Sequence, residues 1–248
     1  LFELFPSEFT ESKKNMLING LVWMGEEHFM KSQIEEKLAQ GFSCIKLKIG
    51  AIDFEKELGL LRFIRQNFDA KTIEIRVDAN GAFASNEALS KLNQLNEFEL
   101  HSIEQPIKAN QIQEMKLLCQ QTPFPIALDE ELIGVFGIEK KRKLLEEIQP
   151  QYIILKPSLV GGFKGTLEWI SIAESLNIGW WITSALESNI GLNAITQFTF
   201  TLNNPMPQGL GTGGLYTNNF DCPLQIENGH IQYNVDKQWG ISNLGLQL

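Results

Sequence analysis

The sequence has few of the residues that build disulfide frameworks, zinc sites or membrane spans. Its three cysteines, Cys44, Cys119 and Cys222, lie far apart and form no CxxC pair. An odd, dispersed set of this kind favours reduced intracellular thiols. No apolar run approaches the ~18 residues of a membrane span, and no signal peptide opens the sequence. We therefore expect a cytoplasmic protein with no membrane partner.

Long runs of basic residues are also lacking. The formal net charge is -9, which argues against a nucleic-acid partner. Hydrophobic residues make up 43% of the chain and charged residues 21%, as in ordinary globular proteins. A chain of 248 residues suits one large domain, or one domain plus a fragment, with a substantial core. The sequence does not indicate an oligomeric state.

One apolar segment, Cys44–Ile49, carries two lysines two residues apart. In a strand, alternate side chains point to opposite faces, so Lys46 and Lys48 share a face. A buried lysine needs anionic partners or a lowered pKa. Downstream, apolar strand-like segments end in three carboxylates and a further lysine, namely Asp78, Glu104, Asp129 and Lys156.

The spacing of these strand ends predicts the fold. From Lys48 through Lys156 to Ser184 they recur at intervals of about 25 to 30 residues, which is the length of a βα unit. Counting from Ile18 to Thr212 predicts eight strands and seven intervening helices, an α/β fold of the TIM-type (β/α)7β barrel class. An open doubly wound sheet is less favoured, because no GxGxxG loop follows the first strand.

The helices between these strands have recognisable apolar faces and caps. A helix is predicted over about 26–39, with Phe29 and Ile34 among its apolar positions. Asp53 is predicted to cap the next helix, another is expected over 138–148, and a later one has Leu167 on its apolar face. We expect residues 1–15 to be a linker or remnant, 16–214 to form the barrel, and 215–248 to form a small β layer outside it.

In a barrel of this class the site lies at the carboxyl ends of the strands. The strand-end residues named above would therefore converge on one mouth. Three carboxylates without histidine or cysteine suit Mg²⁺, or Mn²⁺, rather than Zn²⁺. Such a metal can hold a substrate carboxylate and stabilise an enediolate as the α-proton leaves. Lys48 and Lys156 would face each other, and desolvation, the metal and the neighbouring lysine would lower a lysine pKa enough for it to act as a base.

Each of these residues also has an ordinary structural interpretation. A lone Lys-x-Lys is usually a solvated strand face, and a single acid at a strand end is usually a helix cap. The joint register of five charged residues with the strand period favours a site instead. His101 is predicted in mid-strand facing away from the mouth, His28 in the first helix and His230 in the tail. Because Ser184 lacks a nucleophile elbow, a serine hydrolase is set aside.

Five motifs resemble those of the enolase superfamily, in the subgroup around muconate-lactonising enzyme. They are Lys46–Lys48, Val77–Asn80, Ile103–Pro106, Leu128–Glu130 and Leu155–Pro157. Two less specific segments, at 184–192 and 208–215, resemble strands seven and eight of the o-succinylbenzoate synthases within that superfamily.

The resemblance implies a lyase that dehydrates 2-succinyl-6-hydroxy-2,4-cyclohexadiene-1-carboxylate to o-succinylbenzoate in menaquinone synthesis. By position, Lys48 removes the proton α to the carboxylate and then assists the leaving hydroxyl. Lys156 stays cationic and stabilises the dienolate. The remaining implied roles are metal binding by Asp78, Glu104 and Asp129, support from Lys46 and Asn80, and substrate contacts from Gly161, Gly162 and Ser184.

Members of this superfamily carry an N-terminal α+β capping domain that closes over the barrel mouth. Here only a short segment precedes Ile18, so most of a cap is missing from the sequence. We expect a cap that was cleaved or lies outside this sequence rather than a natural capless enzyme.

Other activities compete with dehydration. An N-acylamino-acid racemase or dipeptide epimerase would use Lys48 and Lys156 as two bases, although Gly209–Thr212 lacks the Asp-x-Asp usual on the last strand of epimerases. A muconate cycloisomerase is disfavoured only by the segments after strands seven and eight. A catalytically idle barrel that serves as a binding module is disfavoured because all five key residues are present.

Overall fold

The computed structural model describes residues 2–240 and contains a seven-stranded parallel sheet alternating with helices. The strands of this sheet lie in sequence order: β2 (Gly20–Val22), β3 (Cys44–Lys48), β4 (Glu74–Asp78), β5 (Ser102–Glu104), β6 (Ile126–Leu128), β7 (Tyr152–Leu155) and β8 (Gly179–Ile182). The helices are α1 (Glu27–Ala39), α2 (Phe54–Asn67), α3 (Ser85–Leu95), α4 (Ile112–Gln121), α5 (Ile138–Ile148), α6 (Gly162–Ser175) and α7 (Asn189–Thr201).

The two edges of this sheet are joined by the segment at Gln208 and Gly209. Gln208 makes a parallel bridge to Ile18, and Gly209 makes one to Thr183. The backbone N–H of Asn19 donates to the Gln208 carbonyl over 3.0 Å. The predicted eighth strand is therefore reduced to two bridging residues, but it sits between the first and last strands of the sheet. The predicted (β/α)7β architecture is confirmed.

The helices form largely where the apolar period and caps predict them. The Asp53 side chain accepts a hydrogen bond from the Glu55 backbone N–H and caps α2, and α5 spans the predicted residues. The prediction for Phe29 is wrong, since its side chain is 49% exposed while Met30 and Ile34 are buried. One residue along a helix turns a side chain by about 100°, so the face that meets the sheet includes Met30 instead of Phe29.

Two further placements are corrected by the structure. Leu167, expected on the apolar face of α6, is 46% exposed, because the buried face of that helix includes its neighbours Gly165, Thr166 and Trp169 but not Leu167. His101 lies just before β5 rather than in mid-strand, and its ring packs against those of Tyr152 and Trp181, which also contact each other.

A second, antiparallel sheet packs outside the barrel. It is formed by β1 (Met16–Leu17), β10 (His230–Tyr233) and β9 (Leu224–Glu227), in that order. Met16 is opposite Ile231, so the segment that leads into the barrel is joined to the tail. Within residues 2–240, no helix has both the length and the apolar character needed to cross a membrane.

The lower part of the barrel interior is filled by side chains. Arg76 is 1% exposed and lies 4.2 Å from the centre of the Trp181 ring. Its Nε donates to Glu74 over 2.7 Å, and one terminal nitrogen donates to the Pro207 carbonyl over 2.9 Å. Trp181 also packs with Ala127 and with Ile154. These side chains fill the barrel interior on the side of the charged residues away from the carboxyl ends of the strands.

Candidate active site

Strand register brings the predicted charged residues side by side at the mouth of the barrel. Lys48 is opposite Asp78, and Asp78 is opposite Glu104 in the parallel pairs. Asp129 follows β6 directly, at the same end of the sheet. Asp78, Glu104 and Asp129 are almost fully buried. The sequence prediction that these residues converge matches the observed geometry.

Two lysines of β3 share the same carboxylate. Lys46 Nζ lies 2.8 Å from Asp78 Oδ2 and also donates to Glu104 Oε2. Lys48 Nζ lies 2.6 Å from Asp78 Oδ2 and 2.7 Å from Asn80 Oδ1. One ammonium group thus bridges two carboxylates, while the second reaches toward the open mouth.

The third lysine lies on the other side of the mouth. Lys156 Nζ donates to Asp129 Oδ2. Lys48 and Lys156 both line one cavity of about 280 Å³, together with Lys46 at its base. A small molecule in this cavity has an amine or ammonium group on either side.

Burial and charge act in opposite directions on the lysines. Burial by itself lowers the pKa of Lys46, but the charges of Asp78 and Glu104 outweigh it and raise that pKa above its ordinary value. The same balance raises the pKa of Lys156, where Asp129 is the main partner. In contrast to the effect expected from desolvation, these two lysines are held in the charged form.

The carboxylates respond differently to the same surroundings. At Asp78, burial opposes ionisation, but Lys46 and Lys48 outweigh it and hold the pKa below its usual range. Burial, followed by the charge of Asp78, raises the pKa of Glu104 well above its ordinary value. The same surroundings therefore favour the ionised form of Asp78 and oppose ionisation of Glu104.

The donor set at the mouth is suited to a hard divalent cation. In the part of the chain that the structure describes, no three His, Cys, Asp or Glu side chains form a preassembled metal cluster. Lysine ammonium groups contact Asp78 and Asp129 instead. However, Glu104 Oε1 is buried with no hydrogen-bond partner. Carboxylate oxygens from three adjacent strands, one of them unpartnered, fit Mg²⁺ or Mn²⁺.

Asn80 connects the loops that follow β4 and β6. Its backbone N–H donates to Asp78 Oδ1 over 3.0 Å, and its φ of 43° is in the left-handed region that Asn tolerates. Its side-chain nitrogen donates to Glu130 Oε1 over 2.8 Å. Burial, with the charge of Asp129, raises the pKa of Glu130. Glu130 had no individual role in the sequence prediction.

Gln105 is a second residue whose role the sequence did not reveal. It is fully buried, and its side-chain oxygen accepts from the backbone N–H of Asp129 over 3.2 Å. Its side-chain nitrogen donates to the Ile107 carbonyl and to Glu131 Oε2. Gln105 therefore ties the loop after β5 to the loop after β6. The Ile103–Pro106 motif contains it, but only the fold shows what its amide contacts.

The predicted substrate contacts divide into two groups. Ser184 lines the cavity, and its Oγ lies 2.7 Å from Thr212 Oγ1. Gly161 and Gly162 begin helix α6 with φ of 101° and 68° but do not line this cavity. Their role in substrate binding stays a prediction.

The structure adds residues from β2 and its flanks to the cavity wall. Trp23, whose ring centre is 5.8 Å from Lys48 Nζ, lines the cavity together with Asn19 and Leu21. Trp23 Nε1 and Asn19 Oδ1 are buried without partners. All three side chains also line an adjoining cavity of about 490 Å³. The apolar character of β2 gave no signal of this contact.

The chain is similar to several known proteins, among them two sequence relatives and one solved structure. An o-succinylbenzoate synthase of Desulfotalea psychrophila is 56% identical over 227 residues, which cover 92% of this chain and 61% of that protein. An N-succinylamino acid racemase of Thermus thermophilus is 34% identical over 159 residues, which cover 64% of this chain and 40% of that protein. A crystal structure of MenC from Desulfotalea psychrophila superposes with a TM-score of 0.87 and 54% identity, covering 93% of this chain and 64% of that one.

The chain thus spans about three fifths of the Desulfotalea protein's length. Residues 30–242 match the family described as "Enolase C-terminal domain-like". The resemblance to the enolase superfamily that the motifs suggested is therefore confirmed over most of the chain, and the chain belongs to the enolase C-terminal domain-like family.

Proposed function

We propose that the chain catalyses a lysine-assisted elimination of water from a cyclohexadiene carboxylate, as an o-succinylbenzoate synthase of menaquinone synthesis. The observation that carries this proposal is the cavity lined by Lys48 and Lys156 beside three buried carboxylates. The 56% identity to a protein named o-succinylbenzoate synthase supports the choice of substrate. A cytoplasmic location is part of the same proposal.

Lys48 is the proposed base. As a free amine its Nζ takes the proton α to the substrate carboxylate, and the electron pair of that C–H bond forms a new C=C bond as the C–O bond to the ring hydroxyl breaks. The resulting Lys48 ammonium returns the proton to the departing hydroxyl, so that water leaves and the ring becomes aromatic. Asp78 and Asn80, both within 2.7 Å of Nζ, orient it toward the mouth.

Lys156 and Lys46 have electrostatic roles in this proposal. Lys156, whose pKa is raised by Asp129 and Glu104 despite its burial, stays cationic and stabilises negative charge that develops on the substrate. Lys46 lies deeper, between Asp78 and Glu104, and keeps these two acids in place beneath the reacting atoms.

Asp78, Glu104 and Asp129 would hold Mg²⁺, with Mn²⁺ as a substitute. When bound there, the ion supplies attraction for the substrate carboxylate and for its developing negative charge. The substrate class is accordingly a small carboxylate, which Ser184, Gly161 and Gly162 would help to bind.

The test is aromatisation of the cyclohexadiene substrate by the purified chain, followed by ultraviolet absorbance with Mg²⁺ and with EDTA. Lys48→Ala should lower kcat by about 10²- to 10⁴-fold, since it removes the acid–base group. The matched control is Lys143→Ala, an exposed lysine of α5. Undiminished turnover in folded Lys48→Ala protein would rule out the assigned base.

A second candidate is racemisation of an N-succinyl amino acid. It is favoured by the 34% identity to a protein named N-succinylamino acid racemase and by an amine on each side of the cavity. Incubation with either enantiomer in D₂O distinguishes the two activities. A racemase exchanges the α-proton of both enantiomers, whereas a chain specific for dehydration exchanges neither.

A further inference from the structure

We propose that Glu57 of α2 is a positioning residue for Lys48. This inference rests on the proposed function, since Lys48 is the proposed base. Glu57 does not line the cavity. It acts through the loop that connects Lys48 to helix α2, residues 49–53, which we name the base loop.

The Glu57 carboxylate binds three consecutive backbone groups of the base loop. Its Oε1 accepts from the N–H of Gly50 over 2.6 Å, of Ala51 over 3.2 Å and of Ile52 over 3.4 Å. Successive backbone N–H groups that point to one anion form a nest, and a charged acceptor strengthens each bond. Glu57 is 1% exposed, so water does not compete for these bonds. One carboxylate oxygen of Glu57 thus holds the base loop against the first turns of α2.

The base loop is coupled directly to the metal side of the mouth. The Ile49 backbone N–H donates to the Asp78 carbonyl over 2.8 Å. Gly50 has φ of 92°, and a Cβ there would lie 2.4 Å from the Ala82 Cβ. The base loop thus packs against the segment that follows β4 and carries Asn80. The two residues that form hydrogen bonds with Lys48 Nζ, Asp78 and Asn80, lie at the end of β4 and in this segment.

Helix stability alone does not account for an acid at this position. Asp53 already caps α2 by accepting from the Glu55 N–H. Glu57 Oε2 is buried without a partner, and leaving a buried acceptor unpaired costs free energy. Local costs of this kind occur in proteins where a residue supports a nearby functional site. What Glu57 holds is the segment that begins one residue after Lys48.

A lysine side chain has four rotatable bonds, so the position of its amine is defined only when both its backbone and the partners of Nζ, here Asp78 and Asn80, are held in place. Displacement of a reacting group by about 1 Å can lower a rate by about 10²-fold. A loosened base loop would shift Lys48 relative to Asp78 and Asn80 without removing any group from the cavity. The expected signature is a defect in proton transfer, with substrate binding retained.

Two variants of Glu57 separate the effect of side-chain length from the effect of its charge. Glu57→Asp keeps the charge but is one methylene too short for the nest, and we expect kcat to fall about 10- to 100-fold with KM within about threefold. Glu57→Gln keeps the length and a carbonyl acceptor, and we expect kcat within about fivefold of the parent. The control is Gln151→Ala, which removes a side chain that binds the backbone of Ile126 and Cys119 away from the mouth.

A kinetic isotope effect distinguishes positioning from a purely structural role. With substrate deuterated at the α-carbon, Glu57→Asp should show a larger isotope effect on kcat than the parent, because proton transfer becomes slower relative to the other steps. Gln151→Ala should show the parent's effect, since partial unfolding lowers the active fraction but leaves the surviving sites intact. An unchanged isotope effect in Glu57→Asp, or a Glu57→Gln defect as large as that of Glu57→Asp, overturns the proposal.

Hydrogen–deuterium exchange tests the hydrogen bonds between Glu57 and the base loop without an activity assay. Glu57→Asp should speed exchange of the Gly50, Ala51 and Ile52 amides and leave those of β7 unchanged. If the amides of the base loop exchange at the parent rate in Glu57→Asp, Glu57 does not hold this loop, whatever the activity of the variant. If the parent chain turns over no cyclohexadiene substrate while this exchange prediction holds, the proposed function has failed and the contact has not.

Discussion

The two halves of the barrel mouth are built on different principles. The half formed by β3 to β6 holds charged groups, with Lys46 and Lys48 locked to Asp78 and Glu104. The other half is formed by β8 and by the segment at Gln208 and Gly209 with the residues that follow it. It presents hydroxyl groups, and the Ser184 hydroxyl is hydrogen-bonded to that of Thr212. Lys156, directly after β7, lies between the halves. Buried charges at fixed positions suit bond making and breaking, whereas a neutral wall suits the choice of substrate.

Burial affects the two halves in different ways. In the charged half, loss of one partner leaves an uncompensated buried charge, which is costly. In the neutral half, loss of a hydroxyl removes one hydrogen bond of modest net value. We therefore expect substitutions in the charged half to abolish chemistry, and those in the neutral half to change the substrate preference.

The largest effect is expected at the boundary between the halves. Lys156→Met keeps most of the side-chain volume but removes the cation next to Asp129. We expect kcat to fall by about 10²- to 10⁴-fold, because the developing negative charge loses its stabilisation. Steady-state kinetics of the dehydration measures this change. A decrease of less than threefold would contradict the electrostatic role proposed for Lys156.

A smaller effect is expected for the metal affinity of Glu104→Gln. The substitution retains the shape of the side chain but removes a charge that its surroundings oppose, since burial and Asp78 raise its pKa. We expect Mg²⁺ affinity, measured by calorimetry, to fall at least about tenfold. Glu131→Gln is a matched control, because Glu131 is a buried acid that binds Asn110 and Gln105 instead. Equal Mg²⁺ affinity in parent and Glu104→Gln would contradict the metal assignment.

The same variant has a pH signature in EDTA. Glu104 has a raised pKa in the folded chain, so the unfolded chain ionises first and stability declines as pH rises above the group's ordinary pKa. Glu104→Gln should flatten this decline. Asp78 has a lowered pKa, so the stability it contributes is lost at acid pH, and that loss should remain in the variant. Thermal unfolding across pH measures both slopes.

The smallest effect is expected in the neutral half. Ser184→Ala removes a hydroxyl that contacts Thr212 Oγ1 and accepts from the Leu186 N–H. We expect kcat/KM for dehydration to fall by about 2- to 10-fold, since one hydrogen bond contributes about 0.5–1.5 kcal/mol. The ratio of dehydration to racemisation of N-succinyl amino acids should change more than either rate. A loss as large as that of Lys156→Met would show that the two halves are not distinct.

The charged half was also the more predictable from sequence. Lys46 and Lys48 lie two residues apart on an apolar strand, and Asp78, Glu104 and Asp129 follow at the βα period. A period of two along a strand and parallel strands in register bring such residues together without further information. The neutral half has no such period. Ser184 was predicted and lines the cavity, but Thr212 and Trp23 were not identified.

The incorrect predictions concern side chains whose environment depends on packing. Phe29 and Leu167 are apolar and lie on helices at core-like spacing, yet each is about half exposed. The face of a helix that meets a sheet depends on the rotation of the helix about its axis. The apolar period of the sequence does not determine this rotation to better than about one residue. The same limit applies to the lysine pKa values, because burial and ion pairing oppose each other and only contact distances show which prevails.

The sequence by itself determined the order and period of the elements, the barrel class, and the set of acids and lysines at its mouth. Local rules are sufficient there, because strand alternation and βα spacing are properties of neighbouring residues. The tertiary structure alone decided which acid each lysine pairs with, that Gln105 and Glu57 hold the loops, and that Trp23 reaches the cavity. These contacts depend on loop paths and side-chain rotamers that only the folded chain selects.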